Sequence, residues 1–338
     1  MNRFAVALPN LSTRHVLVTG ASGLLGSGVA SALVAAGAQL TTLQRRRSGI
    51  AGAYDVLGSI TDPELVARAV QGVDTIIHVA AKVSVSGPAE AYRNVNIQGT
   101  GNLLDAAHRA GTVNRWIHIS SPSVAHAGRS LVGTTAQPAD PDQARGHYAA
   151  TKAAGERLVL AADREDFRVL VLRPHLMWGP GDTQLTERIT DRARSHRMPI
   201  LGSGAPPIDT LFIDNAISAV LAAVSAIENH HGEALVVTNG EPRPVGELIR
   251  QIAIAGGAVE PTLRLPAGLA TVAGAVIEKI WDLTGEHDDE PPLTRFLAEQ
   301  LSTAHWFDQR RTREVLAWKP EISIDRGLEL TAEYYRNH

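Results

Sequence analysis

Between Arg14 and Gly37 the chain reads RHVLVTGASGLLGSGVASALVAAG: an apolar, β-branched run, a turn holding Gly20, Gly23 and Gly26, then an alanine-rich helical pattern. No other stretch limits the fold so much. An ordinary strand-to-helix connection needs one glycine; a turn that admits a phosphate needs several. Gly20 permits a sharp exit from the strand. Gly23 lets backbone approach a pyrophosphate with no Cβ in the way, and Gly26 lets the helix pack close to the sheet. The helix start offers unpaired N–H groups and a partial positive charge to an anion, and Ser22 adds a hydroxyl donor. Such a triplet carries this meaning only between a strand and a helix, which is where it stands.

The next 140 residues repeat the alternation. Apolar runs at 15–19, 39–43, 75–79, 116–120 and 168–172 alternate with helical patterns at 26–36, 63–70, 89–110 and 148–162. Continuous apolar strands joined by helices predict a doubly wound parallel α/β sheet, a Rossmann fold, covered on both faces. After Arg173 proline and glycine multiply, and further helical patterns follow at 245–255, 269–283 and 310–316. We therefore expect a dinucleotide-binding domain over 12–175, completed by 208–240. A smaller substrate-binding lobe would come from 176–207 and 241–338. Its segment LPAGLATVAGAVIEKIWDL reads first as lobe core, with an alkyl-chain wall or a lipid contact as alternatives; GEHDDEPP reads as a solvated acidic turn.

A net charge of −3 argues against a nucleic-acid footprint. No cysteine is present, which removes disulfides and thiolate metal sites, and the histidines show no metal-ligand spacing. Neither a signal-peptide pattern nor a membrane-spanning stretch is evident, so the expectation is a cytoplasmic protein.

NAD-selective members of this fold usually end the second strand in an acid that bonds the ribose 2′-hydroxyl. Here that strand ends in Gln44, followed by Arg45, Arg46 and Arg47. With no carboxylate to repel a 2′-phosphate and guanidinium groups to grip one, NADP(H) is expected over NAD(H), through Arg45 first and Arg46 next. Tyr148 and Lys152 stand at i and i+4 of HYAATKAAGERLV, on one helix face. An ammonium beside a phenol favours the phenolate and lowers its pKa, equipping the tyrosine to exchange a proton with a carbonyl or alcohol oxygen. ISSPSV ends a strand in hydroxyls (Ser120, Ser121 and Ser123) at the sheet edge where ligands of open α/β sheets bind, and one of them can donate to a substrate oxygen.

TGASGLLG, DTIIHVAA, NVNIQGTGNLLDAA, ISSPSV, YAATK, LRPHLMWGPGD and IDTLFIDNAISAVLAA together resemble the extended short-chain dehydrogenase/reductases over nearly the whole chain. The tail from Pro291 to Leu330 resembles their 3β-hydroxysteroid dehydrogenase-like branch. The resemblance implies Ser121 as the catalytic hydroxyl, Tyr148 as acid/base and Lys152 as its assistant, with Asn96 nearby. Ala80, Tyr148, Lys152 and the backbone after Pro174 would border the cofactor. Within the branch, HVAAKVSVSGP, SPSV and RPHLMWGPGD are similar to NADPH-dependent reductases of 2-alkyl-3-oxoalkanoates in long-chain olefin biosynthesis. That resemblance implies a lipid-like substrate and a homodimer, assembled with other enzymes of the route. A β-keto acid needs a cation or donor for its carboxylate, and Lys82 and His175 are the candidates. A hydroxysteroid or 4-carboxysterol dehydrogenase would share the same triad. A nucleotide-sugar epimerase or dehydratase would need a diphosphate pocket, for which Arg188, Arg192 and Arg194 are available.

Overall fold

The computed structural model describes residues 11–83, 87–125, 128–284 and 295–337, without the side chains of 278–284 and 295–297; GEHDDEPP lies outside the described residues. Seven parallel strands form the central sheet: β1 (His15–Thr19), β2 (Gln39–Gln44), β3 (Ala53–Leu57), β4 (Thr75–His78), β5 (Arg115–Ile119), β6 (Arg168–Pro174) and β7 (Glu233–Val237). Their order across the sheet is β7-β6-β5-β4-β1-β2-β3. The chain starts at β1, winds outward to β3, then crosses back to β4 and winds the other way. The C-terminal ends of β1 and β4 therefore flank the point where winding reverses, which is where open α/β sheets hold ligands.

Helices α1 (Leu24–Ala35), α2 (Pro63–Ala69), α3 (Ala89–Tyr92), α4 (Thr100–Ala110) and α5 (Gly146–Leu160) connect or flank these strands. Local chemistry sets their ends. The Asp62 carboxylate accepts from the N–H groups of Glu64 and Leu65 at the start of α2, with Pro63 in its first turn, a cap worth about 1 kcal/mol. Gly111, at φ +66°, ends α4 in the left-handed conformation that favours glycine. Between α3 and α4 the helix widens into a seven-residue π segment, Arg93–Gly99.

The strands alternate side chains between two cores. Val16, Val18, Ile77, Ile117 and Leu170 pack on one face with α1 and α7 (Ile213–Ala226). Leu17, Leu43, Ile76, Trp116 and Val169 pack on the other with α2, α4 and α5. Each fully buried aliphatic side chain contributes about 1.5–3 kcal/mol.

Strand β3 and the returning β7 are not among the five sequence-derived strands. β3 is a sheet edge: Tyr54 is 71 % exposed and Val56 buried, so it lacks a continuous apolar run. After β6 come α6 (Thr186–Arg194), α7, α8 (Val245–Ala255), α9 (Ala267–Thr284), α10 (Arg295–Ser302), α11 (Arg310–Leu316) and α12 (Ile324–Asn337). A small four-stranded sheet, ordered 243–244, 207–208, 305–307, 131–134, joins the excursion after β6 to the C-terminal region and to the segment before α5. Helix α9 departs from the lobe-core expectation. Ala270 is buried in a small cluster with Leu201 and Ala298, but Leu269 (67 % exposed), Val272 and Val276 face outward. No described helix is long and apolar enough to cross a membrane.

Candidate active site

The glycine turn closes tightly on itself. Gly20 has φ +75°, and a Cβ there would stand 2.9 Å from the Ala80 nitrogen; on Gly26 it would stand 2.3 Å from the Gly20 carbonyl oxygen. No side chain caps the start of α1, so its first N–H groups stay available. Ser22 and Gly23 are exposed beside them. These are the features an anion cradle needs.

Thr19, the last residue of β1, carries the hydrogen bonding from this turn into the sheet. Its Oγ1 accepts from the Val79 and Ala80 N–H groups, both at 3.1 Å, and therefore donates its own proton to His78 Nδ1 at 2.7 Å. That fixes the His78 tautomer: Nε2 carries the hydrogen and donates to Thr100 Oγ1 at 3.0 Å, and Thr100 donates to the Asn96 carbonyl at 2.9 Å. Burial holds His78 at a pKa of about 3, so it stays neutral. Asn96 lies in the π segment, a form of helix frequent at functional sites. Its side chain clamps the Lys82 backbone at both ends, N–H at 2.8 Å and C=O at 3.1 Å, and reaches Thr151 of α5. A Cβ on Gly155 would meet the Asn96 carbonyl at 2.5 Å, so α5 approaches this helix closely.

Ser121 and Tyr148 come together, with Lys152 one turn along α5. Tyr148 is half-buried; burial pushes its phenol above the ordinary value, and hydrogen bonding with the Ser121 side chain pulls it back. The direction is opposite to the lowered value expected from the i, i+4 spacing. The Lys152 ammonium donates to the Ile119 carbonyl at 2.6 Å. Burial brings Lys152 down to about 8, opposed by the nearby charge of Glu156. Near neutral pH the Tyr148 phenol is therefore protonated and the Lys152 amine cationic. Ser121 also accepts from Ser123 Oγ at 2.9 Å.

Two residues beneath this group were not anticipated. Glu156, one turn beyond Lys152, is fully buried; it accepts from Ser120 Oγ at 2.6 Å and from Arg173 Nε at 3.0 Å, with a second contact from Arg173 Nη2. The signal was a third polar residue continuing the Tyr148–Lys152 face. In the sequence Arg173 marks only the point after which proline and glycine multiply; the next residue, Pro174, ends β6 half-buried.

At the end of β2, Arg45, Arg46 and Arg47 are exposed, and none makes an ion pair or side-chain hydrogen bond among the described residues. The expectation that no carboxylate lies here needs correction: β3 supplies one. Asp55 accepts from Thr42 Oγ1 at 2.5 Å, Gln44 Nε2 at 3.2 Å and the Ser48 N–H at 3.2 Å. Burial acts to raise its pKa, but the bonds from Thr42, Ser48 and Gln44 prevail and lower it, so Asp55 is ionised. An ionised carboxylate only accepts, so the Gln44 amide nitrogen faces it, which leaves Gln44 Oε1 buried without a partner. An acceptor orphaned where a ribose would stand, with the bare glycine cradle, fits a dinucleotide.

Lys82 is half-buried, its ammonium 5.0 Å from the Tyr92 ring centroid, with no carboxylate partner among the described residues. His175 lies in packing: it is buried, its Nδ1 is 2.6 Å from the Asp209 carbonyl, and its ring is 5.2 Å from that of Phe307. Arg194 is engaged by the Gly256 carbonyl and Asp191. No cluster of metal-ligating side chains occurs among the described residues.

The family model of the NAD dependent epimerase/dehydratase family matches residues 16–238. A 2-alkyl-3-oxoalkanoate reductase of Stenotrophomonas maltophilia is 38 % identical, over 93 % of this chain and 97 % of its own length. Its namesake in Shewanella oneidensis is 34 % identical, over 93 % and 84 %. The solved structure of MoeE5 with UDP-glucuronic acid and NAD superposes with a TM-score of 0.72 at 24 % identity, over 96 % of this chain and 99 % of that one, a likeness of fold. The chain belongs to the NAD dependent epimerase/dehydratase family and is an NAD(P)-dependent oxidoreductase.

Proposed function

We propose that the protein reduces a 2-alkyl-3-oxoalkanoate to the 2-alkyl-3-hydroxyalkanoate with NADPH, as a step of long-chain olefin biosynthesis in the cytoplasm. The observation that carries the reaction type is the meeting of the Tyr148 phenol and the Ser121 side chain at the sheet edge, with Lys152 one turn along α5. A bound nicotinamide dinucleotide supplies the hydride. Ser121 donates a hydrogen bond to the keto oxygen and stabilises the charge that develops there. Tyr148 gives that oxygen its phenolic proton, and the Lys152 ammonium stabilises the phenolate left behind. The uncapped start of α1 and the glycine cradle would hold the pyrophosphate, with Ser22 at its edge and Ala80 and Pro174 bordering the cofactor.

The names of the two reductase relatives support the substrate class, and Lys82 supports it from the site. A half-buried ammonium without a carboxylate partner suits the substrate carboxylate. His175 remains the second proposed substrate contact. Arg45 and Arg46 support NADP(H), since both are available to a 2′-phosphate; Asp55 works against it. A homodimer through the faces of 89–110 and 148–162, joined to neighbouring enzymes of the route, completes the reading.

The test offers purified protein NADPH with a β-keto acid bearing two alkyl chains, NAD with a 3β-hydroxysteroid, and a UDP-sugar in parallel. Oxidation of NADPH with appearance of the β-hydroxy acid is expected. Turnover of the steroid or the sugar alone would replace this substrate assignment.

A further inference from the structure

We infer that the Glu156–Arg173 pair is a positioning device for the reacting centre, one buried carboxylate that locks three chain segments together and sets a negative charge one turn below Lys152. The inference rests on the reading of Tyr148 and Lys152 as the acid–base pair.

The geometry is specific. Glu156 is fully buried and Arg173 is 2 % exposed. Each partner of the carboxylate belongs to a different part of the site. Ser120, donating at 2.6 Å, directly precedes Ser121. Glu156 itself continues the α5 face of Tyr148 and Lys152. Arg173 directly precedes Pro174 at the end of β6, and its Nη1 donates to the Gln137 carbonyl at 2.6 Å, tying in the segment that leads to α5. One ion pair thus connects the hydroxyl strand end, the acid–base helix, the β6 end and the segment before α5.

Stability alone is a poor reason for such a pair. Desolvating two charges costs several kcal/mol each, and apolar side chains of similar volume often fill the same space at lower cost. The arrangement makes sense where reacting groups must be held within fractions of an ångström. It also supplies a field. The charged and titratable groups acting on or facing Lys152 are Tyr148 and Glu156 on its own helix, His78 on β4, His118 on β5 and, through Glu156, Arg173 on β6. Burial keeps both histidines neutral. Glu156 is therefore the group that opposes the loss of the Lys152 proton on burial.

The chain has four lysines, Lys82, Lys152, Lys279 and Lys319, so their 13Cε resonances can be followed by pH titration of the full-length protein without cofactor. In the parent protein one lysine, assigned by Lys152→Met, is expected to titrate at about 8. In Glu156→Gln that midpoint should fall by about one pH unit, a tenfold change in the proton-binding constant. The alkaline limb of kcat/KM should move with it, and kcat should fall about 100-fold with the cofactor Kd within twofold. Glu156→Asp keeps the charge but not the reach: the midpoint should return towards 8 while kcat stays about tenfold low. A folded Glu156→Gln with an unmoved lysine midpoint and kcat within threefold of the parent overturns the inference. Should that variant fail to fold, Glu156→Asp decides, and a parent-like kcat overturns it. Tyr148→Phe runs alongside. If it still turns over, the acid–base reading itself falls; if it is inactive while the Glu156 variants behave as the parent, only the positioning role falls.

Discussion

Lys152, Glu156 and Arg173, at the reacting end of the cleft, are buried and bonded, whereas Arg45, Arg46 and Arg47, at the end of β2, stand in solvent without a partner among the described residues. Both ends handle charge, yet they are built in opposite ways. Proton and hydride transfer depend on placement, and a small displacement costs orders of magnitude in rate, so the groups there are fixed by a network that reaches into the sheet. Choosing between a ribose hydroxyl and a ribose phosphate needs only a local field and a few adaptable donors. On the proposed reading, exposed guanidinium groups would provide that at little cost in desolvation, with Asp55 tempering it from the neighbouring strand.

The contrast can be broken at several points. The largest effect belongs to the reacting end: Tyr148→Phe should lower kcat/KM by about 10³–10⁴, with the NADPH Kd, read by fluorescence titration, within twofold of the parent. Next comes the β2 end. Arg45→Ala with Arg46→Ala should weaken NADPH binding about 10–30-fold and NADH binding less than twofold, in the same titration. Equal losses would make the arginines mere surface charge and erase the contrast. The pH profile follows. On the proposed mechanism the reduction uses Lys152 in its protonated form, and burial lowers its pKa to about 8, so activity should be held below that value and lost above it. The fall should be about fivefold between pH 8 and 9 in steady-state rates, steepening to about tenfold per pH unit beyond. The smallest effect is expected of Asp55→Asn, which removes the negative charge bonded to Thr42 and Gln44 at the end of β2; NADPH should bind about threefold more tightly relative to NADH, a few tenths to 1 kcal/mol.

What the sequence disclosed divides along similar lines. The glycine turn, the Tyr148–Lys152 spacing and the serines after β5 each lie within one short segment, so their chemistry is readable from local order. The supports join residues that are remote in sequence. Glu156 and Arg173 sit on a helix and a strand whose pairing only the folded sheet creates. The Thr19–His78–Thr100–Asn96 chain draws on two strands, a helix and the π segment between helices. Asp55 escaped because β3 is an edge strand with Tyr54 and Leu57 exposed, and a half-solvated alternation is a weak signal. The expected phenol pKa had the wrong sign for a related reason: spacing places an ammonium near a phenol, but only the fold shows that the ammonium points at Ile119. In α9 the small residues Ala270 and Gly274 face inward and the larger apolar ones outward, an inversion that composition cannot reveal.

The most direct test of the reacting centre follows the hydrogen itself. NADPH carrying deuterium at C4 of its nicotinamide ring is mixed with the protein and a 2-alkyl-3-oxoalkanoate in a single turnover, and the product is analysed by mass and by NMR. Transfer of the label to C3, the new carbinol carbon, is expected. Label absent from C3, or a substrate left unreduced by a folded, dinucleotide-binding protein, would contradict hydride delivery to a carbonyl held by Tyr148 and Ser121.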